Sequence, residues 1–295
     1  MFIIKYRKVF VTISAILVSL SIFSIIFFGL NFGIDFKGGS LLEIEYTNVR
    51  PAQIIVDSSI KQLSIGEVLI QPIGEKGYSI KTRDITDSER VSIIGALGSD
   101  ATEKSFTSIG PSVGAELARK AIISFILVSL GIIFWIAFSF RKVSKPVSSW
   151  KYGFMAIISL VHDVLITAGV FAFIGHLTGA EADTLFVVAI LTVLGLSVSD
   201  TIVVFDRVRE NIRVGHFKTF EETVGRSLNQ VYTRSIATSS TIIIVLLSLV
   251  FFGPSSTRIF SIVLTVGMFF GTYSSIFLAS PLLVIANNLQ NKKSK

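Results

Sequence analysis

Cysteine is absent from the 295 residues, which excludes a disulfide framework, a thiol nucleophile and a thiolate metal site. Histidine occurs three times, at 162, 176 and 216, without metal-ligand spacing. Charge is scarce: Asp, Glu, Lys and Arg make up 16%, against about 25% in ordinary soluble domains. No Ser/Gly linker or low-complexity tract divides the chain. The run Lys37-Gly38-Gly39-Ser40 lacks the spacing of a phosphate-binding loop, and no cofactor is expected.

Apolar sequence fills the space these absences leave. The chain is 51% hydrophobic with a mean hydropathy of +0.72, the composition of a polytopic membrane protein. Six stretches approach the ~20 residues a bilayer requires: residues 9–30, 121–140, 154–177, 185–205, 235–252 and 259–285. The first exceeds the apolar run of a signal peptide and lacks a small-residue cleavage pattern, so it reads as a retained anchor. Lys and Arg are unevenly placed. Three precede the first stretch (tail 1–8), four lie in 141–153, six in 206–234 and three in the tail 286–295, whereas the opposite short loops hold Arg258 alone. This positive-inside bias predicts cytoplasmic termini. The net charge of +7 then reflects topology and contact with anionic lipid, and nucleic-acid binding is not needed to explain it.

The one long loop on the outer side, residues 31–120, has room for a small domain. Leu42, Ile44 and Tyr46 alternate with polar neighbours as in a half-buried strand. Residues 51–63 and 86–97 carry helical spacing. Residues 67–73 and 78–83 read as a hairpin across Gly74-Glu75-Lys76-Gly77, and 104–109 as a last strand. The order β-α-β-β-α-β predicts a ferredoxin-like α+β domain. On the inner side, Thr219-Phe220-Glu221-Glu222 fits a capping box, predicting an amphipathic helix from 220 to about 231 along the membrane surface.

Asp200 stands alone among apolar and small residues in the fourth stretch, six positions before Asp206. At 1.5 Å per residue that places it about 9 Å below the charged flank. An ionised group at such depth costs at least ~2.5–3.5 kcal/mol. Two readings compete, an ion or proton site and a structural polar contact. Gly195 and Ser199 form a small-xxx-small pair beside it, suited to close approach of another helix. Arg234, at the start of the fifth stretch, is the candidate partner or else a headgroup anchor. A carboxylate alternating between an ion-paired and a protonated state carries a proton. Asp163 in the third stretch is a second relay group or a structural one; its neighbour His162 points about 100° away and need not touch it. Gly267 and Gly271 form a packing motif in the sixth stretch. Gly33, Asp35, Phe36, Gly38 and Gly39 lie in a connector whose glycines permit a tight path.

Several blocks together resemble the SecD/SecF family of protein-export membrane proteins, within the resistance-nodulation-division superfamily. They are Gly33-Ile34-Asp35-Phe36-Lys37-Gly38-Gly39-Ser40, Ile109-Gly110-Pro111-Ser112-Val113-Gly114, Ser197 to Asn211, Thr233-Arg234-Ser235 and Gly271 to Phe277. The blocks cover essentially the whole chain in the right order. Two positions depart from the family pattern: Leu196 and Ser199 replace the usual Tyr and Asn beside Asp200.

The resemblance implies an α-helical polytopic protein with six transmembrane helices and a ferredoxin-like periplasmic domain between the first two. It implies a bacterial inner-membrane location and a non-enzymatic role in protein translocation driven by proton motive force. The implied partners are SecD, the SecYEG channel with YajC, and the exported polypeptide, in the lipid bilayer. It assigns proton passage to Asp200 and Arg234, with Asp163 beside them. The alternatives are a standalone solute transporter, an intramembrane aspartyl protease using Asp163 and Asp200, and a purely structural subunit.

Overall fold

The computed structural model describes residues 2–139, 149–215 and 217–293. Most of the basic loop expected at 141–153 therefore lies outside the described residues, as do His216 and Lys295. Among the described residues, six helices are long and apolar enough to cross a membrane: Arg7–Phe28, Pro111–Ser139, Trp150–Thr178, Thr184–Val214, Phe220–Phe252 and Ser256–Gln290. They are called the first to sixth spans below. The chain divides into two compact units, Met1–Asn31 with Ser124–Lys295, and Phe32–Ile123.

In the helical unit the third, fourth and sixth spans bury about half of their apolar windows, and the first, second and fifth bury less than a fifth. The inner three carry buried polar side chains, among them Asp163, Ser197 and Ser274. The core holds Leu160, Leu194, Phe205, Ile276 and Leu283 at one end, and Phe171, Phe186, Val193 and Leu264 at the other. Small residues set the closest approaches. A Cβ on Gly169 would stand 2.5 Å from Ser21 Cα, so the third span lies against the first, and Ser24 Oγ donates to Gly169 O at 2.8 Å. Gly267 packs on Val193, and a Cβ on Gly271 would sit 3.1 Å from Ser197 Cβ. The sixth span is interrupted by a π turn, Ser275–Ala279. Such turns recur at functional sites, and Ser280 Oγ donates to Ser275 O at 3.2 Å within it.

Residues 206–234 differ from expectation. The fourth span runs on to Val214, and the helix of the fifth begins at Phe220 and continues unbroken to Phe252. The expected surface helix is thus the first turns of a 33-residue helix. The reason is packing. Phe205 and Val208 on one extension and Val224, Leu228 and Val231 on the other share the helical core, so the apolar stripe outlasts the span. Asn211 Nδ2 donates to Ser227 Oγ and Gln230 Oε1, both at 2.8 Å, and ties the extensions together. Gly215, at φ 71°, ends the fourth helix in the left-handed region. Thr219 Oγ1 accepts from the Glu222 amide at 3.1 Å, the forward half of the expected box.

The second unit holds strands β1 (Gly39–Tyr46), β2 (Leu69–Ile73), β3 (Gly77–Thr82) and β4 (Ala101–Ile109), with helices Gln53–Lys61 and Asp87–Ala96. The sheet order is β2-β3-β1-β4, and every neighbouring pair is antiparallel. Leu42, Ile44 and Ile80 from the sheet meet Val56, Ile60 and Ile93 from the helices in one core. Thr86 caps the second helix through a full capping box with Glu89. The two ends of this unit meet. A Cβ on Gly38 would lie 2.8 Å from Pro111 Cα, and one on Gly114 would lie 2.9 Å from Gly38 N. Gly39 presses on Thr82 O, and Gly38 and Gly39 adopt φ 77° and 132°, a path that favours glycine. Asp35 and Phe36 lie in the single helical turn Ile34–Lys37 just before them.

Candidate functional site

The fourth span carries Asp200 into a cavity of about 140 Å³ between it and the fifth and sixth spans. Leu196 and Ser199 line the cavity with Asp200, so both bear on its polarity. Ser235 Oγ donates to Asp200 Oδ1 at 2.6 Å. The other carboxylate oxygen, Oδ2, is buried and meets no hydrogen-bond partner among the described residues. Arg234 lines the same cavity and is exposed, but its guanidinium closes no ion pair with Asp200 within 4.0 Å. The direct contact expected of Arg234 is made by its neighbour Ser235. On the far wall, Thr272 Oγ1 donates to Ser239 Oγ at 2.6 Å and holds the sixth span to the fifth.

The close helix approach expected at Gly195 and Ser199 is not made among the described residues. Both residues are exposed, and nothing lies within 4 Å of the place a Gly195 Cβ would take. The reason is that the sixth span packs on the opposite side of the fourth, where Gly267 and Gly271 meet Val193 and Ser197.

Asp163 sits elsewhere, fully buried on the third span. Its Oδ2 accepts from Ser197 Oγ at 2.5 Å and from Ser274 Oγ at 2.8 Å, and its Oδ1 lies 2.9 Å from His162 Nδ1. The neighbours expected to point apart therefore touch. The angular argument holds for the Cβ directions, but the imidazole is long enough to reach across to the aspartate beside it. Ser197, which donates to Asp163, also lines the Asp200 cavity, so one hydroxyl stands between the two carboxylates' surroundings. No hydrogen bond joins Asp163 to Asp200 among the described residues, and the shared proton of an aspartyl-protease dyad has no geometry here.

Sequence reasoning missed Ser235, Ser197 and Ser274. Their only signal is polarity at buried positions of otherwise apolar helices, a weak one because Ser returns its hydroxyl to the preceding turn so readily. Ser274 does both, donating to Asp163 and lying 3.0 Å from Gly271 O.

Residues 91–289 match the family described as protein export membrane protein SecD/SecF, C-terminal, and residues 23–48 match the SecD/SecF GG motif. A protein translocase subunit SecF from Thermobaculum terrenum is 41% identical, with 97% of this chain and 94% of that protein covered. Its counterpart in Haemophilus influenzae is 37% identical over 93% and 82%. The crystal structure of SecDF from Thermus thermophilus superposes with a TM-score of 0.81 at 30% identity, covering 97% of this chain. A second, of SecDF in a super-membrane-facing form, gives 0.71 at 29%. The chain spans 38% and 39% of the length of those two SecDF chains. By the long family match and by relatives alike along nearly their full length, the chain belongs to the SecD/SecF family of protein export membrane proteins, on its SecF branch.

Proposed function

We propose that this chain works as a SecF-type translocase subunit that spends proton motive force, with Asp200 as the proton-carrying group. The observation that carries this reading is the half-satisfied carboxylate. One oxygen of Asp200 is held by Ser235, and the other lies buried beside a small cavity that Arg234 also lines. A proton arriving on Oδ2 would cancel the attraction toward Arg234, and release would restore it. One elementary charge crossing the membrane is worth ~2.3 kcal/mol per 100 mV, enough to bias a helix repacking.

In this reading the lopsided Lys/Arg distribution sets both termini in the cytoplasm and the sheet unit, a ferredoxin-like domain, in the periplasm. The membrane is the bacterial inner membrane. The partner is SecD, which supplies the second set of spans and covers the exposed faces of Gly195 and Ser199. The pair works beside SecYEG, with YajC, on the exported polypeptide, and performs no covalent chemistry on it.

Two rival readings fare worse. A solute transporter needs a substrate site, and the Asp200 cavity of about 140 Å³ falls far below the ~300–1,000 Å³ of small-molecule pockets. A purely structural subunit gives no reason to leave a carboxylate oxygen unpaired in a buried wall. The test is Asp200→Asn in the full chain co-expressed with its SecD-type partner. Assembly should persist while proton-driven export falls to background. Export at the wild-type rate would overturn the reading.

A further inference from the structure

The helical unit contains a second buried titratable group that the Asp200 reading does not use. His162 is 3% exposed and lies on the third span. Its Nδ1 faces Asp163 Oδ1 at 2.9 Å, while Asp163 Oδ2 is taken by the hydroxyls of Ser197 and Ser274. With a carboxylate as its neighbour, Nδ1 keeps a hydrogen and donates it, so in the neutral ring Nε2 holds the lone pair. Nε2 is buried and has no hydrogen-bond partner among the described residues. A histidine kept only for packing satisfies both nitrogens or exposes one. This one has its orienting carboxylate in place and its basic nitrogen open.

The surroundings fit a group that changes charge. The titratable neighbours are Asp163, on the same span, and Tyr273, whose ring stacks on the imidazole at 6.1 Å from the sixth span. The fourth span contributes Ser197 and the sixth Ser274, both neutral donors to Asp163. From the first span Ser14 Oγ reaches Tyr273 Oη at 3.4 Å, and Tyr273 Oη donates to Phe10 O at 3.3 Å. The imidazole is thus one ring away from the first span.

We propose that His162 is a second proton-binding group of this protein, with Nε2 as the atom protonated and Asp163 as the residue that positions the ring. The proposal rests on the proton-driven reading given above and extends it to a separate site. The step is an N–H bond formed on uptake and broken on release, with the proton drawn from water and returned to water. In the imidazolium both nitrogens donate. Nδ1–H stays on Asp163, and Nε2–H finds no acceptor in this packing. Protonation therefore favours an arrangement in which the Tyr273 contact with the first span loosens and admits one. Release restores the packing described here. Ser197, shared between the Asp163 cluster and the Asp200 cavity, places the two proton sites in series.

The experiment uses the full chain reconstituted with its SecD-type partner in vesicles and histidine labelled in the ring. The double substitution His176→Gln and His216→Gln leaves His162 as the one labelled ring. Infrared difference spectra taken on stepping the pH should then show conversion between neutral and protonated imidazole. A ring that stays in one form across the pH range that supports export would overturn the proposal, and this arm needs no change at His162 itself. In the second arm, proton uptake under an imposed gradient is followed with an enclosed pH dye. His162→Gln should cut uptake at least tenfold and flatten its pH profile while co-purification with the partner persists. Asp163→Asn should shift that profile, and so should Tyr273→Phe, which removes the hydroxyl contact with the first span that protonation loosens. An unchanged rate and profile in His162→Gln would sink the proposal. If Asp200→Asn loses uptake and His162→Gln retains it in full, this site falls alone. If Asp200→Asn retains uptake and His162→Gln loses it, the Asp200 reading falls and this one stands.

Discussion

Asp163 and Asp200 are both carboxylates in apolar helices, and their surroundings are opposite. Asp163 is sealed: three side chains from three spans take its two oxygens, and no part of it reaches solvent. Asp200 is open: one hydroxyl holds one oxygen, and the other is buried without a partner among the described residues, beside a cavity that an exposed arginine also lines. A sealed carboxylate fixes geometry, because any movement leaves donors or the charge itself unpaired at a cost of several kcal/mol. An open one can change charge without dismantling its cage. Depth in the membrane is similar evidence for both and does not separate them; the number of donors does.

The comparison breaks most visibly through substitution. Asp163→Ala strands the Ser197 and Ser274 hydroxyls and His162 in the core. We expect a loss of ~3–5 kcal/mol in a detergent-denaturation titration of the full chain. Asp200→Ala in the same titration should cost less than about 1 kcal/mol while removing proton-driven export; equal costs would erase the distinction. Packing beside the sealed site should come next. Gly267→Ala drives a methyl into Val193, and should cost ~1–3 kcal/mol and weaken export through the shifted sixth span. Ser235→Ala frees Asp200 Oδ1, removing a hydrogen bond of ~0.5–1.5 kcal/mol, so uptake should change a few-fold and its pH profile should move. An unaltered profile would show that Ser235 only packs.

The smallest effect belongs to the sheet unit. Arg83, aided by the Thr86 amide, holds the Glu89 carboxyl down to about 2. A lowered value means that folding favours the ionised form, so its contribution is present above the ordinary glutamate range and fades as pH falls toward about 2. Glu89→Gln should therefore lower the melting of this unit slightly at pH 6 and leave it unchanged near pH 2, as followed by circular dichroism.

Much of this architecture is written in the sequence, and the pieces that are not share a cause. The spans announce themselves through length and apolarity, and the sheet through alternation at Leu42, Ile44 and Tyr46 and the turn at Gly74. Asp200 is conspicuous because a lone charge in an apolar run is rare. Its partner was harder to read. Arg234 carries the charge that draws attention, yet the atom in contact belongs to Ser235, a residue of no distinction in a helix. The continuation of two helices through 206–234 was hidden by the charges there, which suggest a loop when counted but leave Val208, Val224 and Leu228 on a buried stripe. The helix expected over 86–97 was legible by spacing alone. The contact between His162 and Asp163 was not, since it depends on rotamers that spacing does not encode.

Gly38 touching Pro111 has a mechanical consequence. The chain enters this unit through Gly38-Gly39 and leaves it through Pro111–Gly114, and the two stretches close on each other inside the unit. A methyl at Gly38 or Gly114 would be a wedge driven into a clasp, parting the start of the first strand from the helix that follows the last.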